Sequence, residues 1–219
     1  MERRLLYRDG LMLVIDKPAG LPVHRGPKGG ASLEDYFDAL RFGLPRAPAL
    51  AHRLDRETSG CLVLGRHRKA LAHIGLLFKH GKVGKTYWAL VAGGPEQDEG
   101  LIDAPLGRLD ASRGWWMKPD PHGLPARTRW RVMGRSADRL AWLALEPLTG
   151  RTHQLRVHCA SMGWPIVGDN IYSDAPRFGG PGLHLHAREI VVPLYPKREA
   201  IRVIAPLPQH MHERFAACG

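Results

Sequence analysis

Ala51-His52-Arg53-Leu54-Asp55-Arg56-Glu57-Thr58-Ser59-Gly60-Cys61-Leu62-Val63-Leu64-Gly65 packs five ionisable side chains into the six positions from His52 to Glu57, then runs through Thr58, Ser59 and Gly60 into an apolar segment. A charged loop that feeds a buried strand is a common way to hold reactive side chains rigidly over a sheet. A surface salt-bridge loop ahead of a core strand would have the same pattern, and spacing alone does not separate the two.

On the C-terminal side, Leu71, Ile74, Leu77 and Phe78 recur at helical intervals up to Gly81, which predicts a helix with Lys69 and Lys79 on its outer face. Lys85 to Val91 then alternates, with Tyr87, Ala89 and Val91 on one face and Trp88 and Leu90 on the other. On the N-terminal side, the apolar run Leu11 to Asp16 is stopped by Pro18 and Gly20, a strand and a turn. Ser32 and Asp35 have capping-box spacing ahead of Tyr36, Phe37 and Leu40, a short helix beside a loop at Gly26 to Gly30. Further on, Gly107 to Gly123 predicts a hairpin with a long tip, and Arg127 to Arg135 and Leu140 to Glu146 two strands. Thr152 to Met162 predicts a helix ended by Gly163, and Ile190 to Val192 and Ile201 to Ile204 the final strands. Strands outnumber helices, and most connections are too short for parallel crossovers. The expected fold class is α+β, with a mixed, mainly antiparallel sheet and flanking helices and loops.

A chain of 219 residues can bury a proper core and fits a single domain over residues 1–219. No apolar run approaches the length of a signal or membrane segment, and the expected setting is cytoplasmic. Cys61, Cys159 and Cys218 are too few and scattered for a disulfide framework and suit a reducing compartment as packing residues. A net charge of +11 and a pI near 10.1 favour a polyanionic partner, nucleic acid first, over a small neutral metabolite. No acidic residue occurs between Glu57 and Glu96, a span that holds Arg66, Arg68, Lys69, Lys79, Lys82 and Lys85. A second basic stretch runs from Arg127 through Arg129, Arg131 and Arg135 to Arg139.

The wording of the opening stretch is more specific than its composition. His52-Arg53-Leu54-Asp55-Arg56-Glu57-Thr58-Ser59-Gly60 resembles the signature of the RluA family of RNA pseudouridine synthases. Lys85-Thr86-Tyr87-Trp88-Ala89-Leu90-Val91 resembles that family's tyrosine strand, and Gly150-Arg151-Thr152-His153-Gln154-Leu155-Arg156-Val157-His158 its arginine motif. Asp16-Lys17-Pro18-Ala19-Gly20-Leu21, Gly168-Asp169 with Tyr172, and Leu183-His184-Leu185-His186-Ala187 resemble further family segments in the expected order. The six matches span nearly the whole chain. The resemblance implies the pseudouridine synthase fold. Only about ten residues precede the first motif strand, so the expectation is a catalytic domain with no separate N-terminal RNA-binding domain, acting as a monomer.

The implied reaction breaks the bond between the ribose anomeric carbon and a base nitrogen, rotates the freed uracil and rejoins it through a ring carbon. It needs no redox step, cofactor or metal. By resemblance Asp55 is the essential carboxylate, which can attack as a nucleophile, steady an oxocarbenium-like sugar or remove a ribose proton. All three remain open. A carboxylate in a closed pocket needs a nearby cation to stay charged, and Arg156 is the family's arginine for that role. Tyr87 matches the pocket tyrosine, whose ring can stack on uracil and whose hydroxyl can act as a base. Uridine in folded RNA must leave the stack, and Arg53 is the candidate to assist. His52, Thr58, Arg151 and His153 are the remaining substrate-binding candidates, and Arg127 and Trp115 are candidates for target choice.

His184, His186 and Asp169 would be the natural metal trio, but their spacing is incomplete, and Gly26 to Gly30 lacks the lysine and hydroxyl residue of a phosphate loop. Two rival classes are an RNA-binding protein of the same fold without catalysis, and a nucleoside hydrolase or glycosidase. The intact Asp55, Tyr87 and Arg156 weigh against the first. The second normally needs paired carboxylates or a metal, and Glu57 is the only close partner for Asp55. The expected substrates are tRNA, large-subunit ribosomal RNA or both.

Overall fold

The structure is a computed structural model that describes residues 1–26, 29–110 and 116–219. Trp115 and the tip of the expected hairpin at 111–115 lie outside the described residues, as do positions 27 and 28 of the expected glycine loop. In chain order the strands begin with β1 (Leu5–Arg8), β2 (Met12–Lys17), β3 (Ala49–Leu50) and β4 (Ser59–Gly65). Helix α1 (Arg68–Lys79) leads to β5 (Gly84–Ala92), β6 (Glu99–Asp103), β7 (Leu106–Arg108), β8 (Met117–Pro119), β9 (Arg127–Arg135) and β10 (Leu140–Pro147). Helix α2 (Gln154–Ser161), β11 (Leu185–Val192), β12 (Ile201–Ile204) and helix α3 (Gln209–Ala216) complete the chain. The class is α+β, as the pattern predicts.

The chain forms two compact units, one of Met1–Lys85 with Ala187–Leu207, the other of Thr86–His186 with Pro208–Gly219. In the first unit β2 pairs antiparallel with both β1 and β4, in register Val14 to Val63 and Ile15 to Leu62 against β4. Met12, Val14, Cys61 and Val63 meet Ile74 of α1 and Ile190, Val192 and Val203 in one apolar cluster. Leu13, Ile15, Leu62 and Leu64, on the opposite face, are also fully buried. Burial on both faces explains why these strands read as continuous apolar runs rather than alternating ones.

Helix α1 follows its apolar spacing. His67 Nδ1 caps it by accepting from the Ala70 amide at 3.2 Å. It ends where Gly81, at φ +64°, lets the Lys82 amide reach back to the Leu77 carbonyl at 2.9 Å. The segment after Ser32 is a 3₁₀ helix, Leu33–Leu40, rather than an α-helix. Its expected start is right: the Ser32 amide donates to Asp35 Oδ2 at 2.9 Å.

In the second unit β10 pairs antiparallel with β5 and β9, and β9 with β6. Ala89, Val91, Leu143 and Leu145 of this sheet pack with Leu155, Cys159, Trp164 and Ile166. The other face of β5 is covered too, since Trp88 meets Trp142 at 4.6 Å and both meet Phe215 of α3. The expected hairpin is present, with β7 paired to β8. Helix α2 starts two residues later than its sequence pattern predicts, because His153 takes a left-handed conformation (φ +53°) and becomes the N-cap. All three cysteines are free and buried, as packing residues should be.

Candidate active site

In the first unit the motif loop is held from below by Lys17, the last residue of β2. Its side chain is fully buried, and Nζ donates to the carbonyls of Pro18 at 2.8 Å and Arg56 at 2.9 Å. The Gly20 amide donates to the Arg56 carbonyl, and Arg56 Nε donates back to the Gly20 carbonyl, each at 2.9 Å. The Thr58 amide closes the turn onto the Asp55 carbonyl at 3.2 Å. Asp55 therefore stands on a turn held at Arg56 by three hydrogen bonds, two to its carbonyl, from Lys17 and Gly20, and one from its side chain to Gly20. Burial pushes the Lys17 ammonium down to about 8, while the nearby carboxylates of Glu57 and Asp55 pull it the other way.

His52, at the head of the motif, accepts the Val63 amide on Nε2 at 3.0 Å and stacks on Phe78 of α1 at 4.5 Å. Burial, with Lys85 nearby, pushes its pKa down to about 3, so the ring is neutral and its proton is on Nδ1. Arg53 is exposed and Asp55 is half-buried. Thr58 is buried, with no hydrogen-bond partner for its hydroxyl among the described residues. Gly60, at φ +105°, is where β4 meets β11: a Cβ there would lie 2.3 Å from the Ala187 carbonyl oxygen.

In the second unit the arginine motif forms the first turns of α2, and Gln154 to Cys159 are all buried. Arg156 meets Asp169 side-on, with Nε to Oδ2 and Nη2 to Oδ1 both at 2.8 Å. The Ile171 and Tyr172 amides add bonds to Oδ1 at 3.0 and 3.1 Å, and the Tyr172 ring lies 5.3 Å from the guanidinium carbon. Burial alone would raise the Asp169 pKa, but Arg156 and these amides hold it below the usual carboxylate range. Asp169, read in the sequence as part of a family segment and as a metal-trio candidate but given no partner, is thus the group that fixes one edge of Arg156.

Beneath α2, Gln154 Nε2 donates to the Arg127 carbonyl at 2.9 Å and to Thr128 Oγ1 at 3.0 Å, while its Oε1 accepts from Thr149 and the Arg151 amide. His158 Nε2 faces the Ala104 carbonyl at 3.0 Å and so carries the ring proton, which leaves Nδ1 to accept from the Thr128 hydroxyl at 2.9 Å. Each donor in this buried chain has an acceptor. His153 Nδ1 is 2.7 Å from the Tyr172 hydroxyl, which also accepts the Met117 amide. Arg151 Nε donates to the Pro125 carbonyl at 2.9 Å. Tyr87 is half-buried and packs against the apolar cluster of its unit. Arg127 is exposed and paired with Asp103 at 3.3 Å.

Sequence reasoning missed Lys17 as a support and Asp169 as the Arg156 partner, although both stand in segments that carried the resemblance. The signal for Lys17 is a lysine closing an uninterrupted apolar strand just before a proline. Thr128 gave no signal, since it sits among exposed arginines.

Residues 11–161 match the family model described as RNA pseudouridylate synthase. An uncharacterized RNA pseudouridine synthase of Zymomonas mobilis is 42% identical over 211 residues, covering 95% of each chain. Ribosomal large subunit pseudouridine synthase C of Vibrio cholerae is 35% identical over 222 residues, 97% of this chain and 68% of that protein. Among solved structures, human RNA pseudouridylate synthase domain containing 4 superposes with a TM-score of 0.79 at 30% identity, covering 96% of this chain and 92% of the other. With a family match over more than half its length and relatives this similar along nearly all of it, the chain belongs to the RNA pseudouridylate synthase family.

Proposed function

We propose that this protein converts uridine to pseudouridine in RNA with Asp55 as the reacting carboxylate. The observation that carries this reading is the tied turn beneath Asp55, with Lys17, Gly20 and Arg56 fixing its backbone. A carboxylate that must meet one sugar carbon gains from such fixed placement. Arg156 supplies the counter-charge to Asp55, with Asp169 setting the orientation of the guanidinium. Tyr87 stacks on the freed uracil and offers its hydroxyl for proton transfer. Arg53 fills the space the extruded base leaves, and Thr58 offers its hydroxyl to substrate. Arg151 and His153 add substrate contacts, while His52 braces the start of the loop through the Val63 amide and Phe78.

The name of the Vibrio cholerae relative makes large-subunit ribosomal RNA the first substrate to try, with tRNA stem-loops second. The protein acts as a cytoplasmic monomer in this reading. In the test, wild type and Asp55→Asn are incubated with both RNAs and pseudouridine is measured by mass spectrometry. Wild type is expected to form it, and Asp55→Asn to form none while binding RNA within a few-fold of wild type. Turnover by Asp55→Asn would remove Asp55 from its role, and RNA binding without turnover by wild type would favour a non-catalytic binder.

A further inference from the structure

The outer side of α1 carries a groove of about 400 Å³ lined by His73, Leu76, Leu77, His80 and Lys82. We propose that this groove seats one unstacked nucleotide of the substrate RNA, at a position other than the reacting uridine. The proposal rests on the reading of the protein as an RNA-modifying enzyme.

The shape is that of a base seat. Leu76 is 54% exposed, a large apolar side chain left uncovered at the middle of the groove. His73 and His80 lie seven positions apart on the same helical face, with Leu76 between them. Imidazole rings beside an apolar floor suit a flat heterocycle, which stacks with aromatic and histidine planes whatever its sequence. The volume lies within the range of about 300–1,000 Å³ usual for small-ligand pockets.

Charge selects the occupant. Lys82 lines the groove, Lys79 is the last residue of α1, Arg68 and Lys69 lie at the other end of the helix, and no acidic residue occurs from Thr58 to Pro95 in the sequence. The negative end of the helix dipole disfavours a phosphate on the helix axis itself. The arrangement that satisfies both is a base on the Leu76 floor with its phosphates reaching Lys79 and Lys82. None of the groove's lining residues is acidic, so a protein segment would find no partner among them for its own cations.

Position links the groove to the chemistry. Phe78, on the inner side of the same turn of α1, stacks on His52 at the head of the motif loop. The groove and this contact with the head of the motif loop thus lie on opposite sides of one helix, whose diameter with side chains is about 10–12 Å. RNA bound for reaction at that loop would pass within reach of α1.

The test uses the full chain with Asp55→Asn, so that binding is read without turnover, and fluorescently labelled unfractionated tRNA and fragmented ribosomal RNA as probes. Replacing His73 and His80 together by Ala should weaken binding about tenfold and leave the slope of affinity against salt unchanged, because stacking releases no counterions. Replacing both by Phe should keep affinity within about twofold of the parent, which separates loss of stacking from loss of fold. Lys82→Gln should lower the salt slope by about one. RNA carrying 4-thiouridine should crosslink to residues 73–82. Unchanged affinity in the double Ala variant, with no crosslink there, overturns the proposal and leaves the groove to a protein occupant. A wild type that forms no pseudouridine while the groove variants still lose affinity overturns the catalytic reading and leaves the groove as an RNA seat.

Discussion

Arg156 keeps only 4% of its side chain exposed, so its charge depends on what the protein places around it. Asp169 provides a two-bond partner, and Tyr172 adds a ring face. Breaking a buried pair from one side costs far more than the pair contributes as a whole, because the survivor stays buried and uncompensated. Asp169→Asn is expected to destabilise the protein by roughly 3–5 kcal/mol, read as a loss in melting temperature. The double variant Arg156→Met with Asp169→Leu should lose less than either single change; a fully additive loss would mean the two are not coupled. The arginine was legible in the sequence from its motif. Its partner was not, because a short Gly168-Asp169 turn encodes no address for the charge it meets. Lys17 was hidden for a similar reason: a lysine is expected at the surface, and the converging carbonyls of Pro18 and Arg56, with the carboxylates of Glu57 and Asp55 nearby, make its burial tolerable.

Helix α2 has an unusual demand, since six consecutive residues from Gln154 to Cys159 are buried on all sides. Three of them, Gln154, Arg156 and His158, are polar, and Thr128 of β9 links the first to the last. Thr128→Val keeps the volume and removes the hydroxyl, stranding Gln154 Nε2 and His158 Nδ1 together. The expected cost is about 1–3 kcal/mol per stranded group, and the role proposed for Arg156 on α2 predicts a lower turnover number as well. Thr128→Ser should restore both stability and turnover. Melting curves beside steady-state kinetics check this, and unaltered kinetics in Thr128→Val would limit the network to a folding role. The same burial explains what sequence pattern could reach. Helix α1 has one solvent face and was predicted from its spacing to within a few residues, whereas α2 shows no such face and its start was placed two residues early. The short strands β1, β3 and β6 and the last helix α3 were not foreseen. In α3 the only core contacts are Met211 and Phe215, too few to set a period in a polar terminus.

Across the molecule, several titrating groups are folded in their less hydrated form. Burial depresses the pKa of His52 to about 3 and of His184 to about 4, and lowers that of His158. Between those values and the ordinary histidine value near 6.5, the unfolded chain binds protons that the folded chain does not. Stability therefore falls as pH drops through that window. Asp9 and Asp169, held below the usual carboxylate range, add a loss of the same sign at lower pH. The melting temperature is expected to decline steadily from pH 7 to pH 4, and His52→Gln, which keeps an acceptor for Val63, should flatten part of that slope. An identical slope in the variant would show that His52 already titrates normally in the folded state.

The tie beneath the motif loop has a consequence for chemical reactivity. Burial lowers the Lys17 pKa to about 8, but that shift lasts only while the amine is sealed, and on release it returns towards the ordinary lysine value. Its side chain is sealed from solvent, and both hydrogen bonds must break before an acylating reagent can reach it. The Lys17 amine is thus a built-in clock for the loop that carries Asp55. Its acylation rate, followed by peptide mass spectrometry, counts how often that loop lifts away from the sheet, and a bound RNA that holds the loop down would slow the clock.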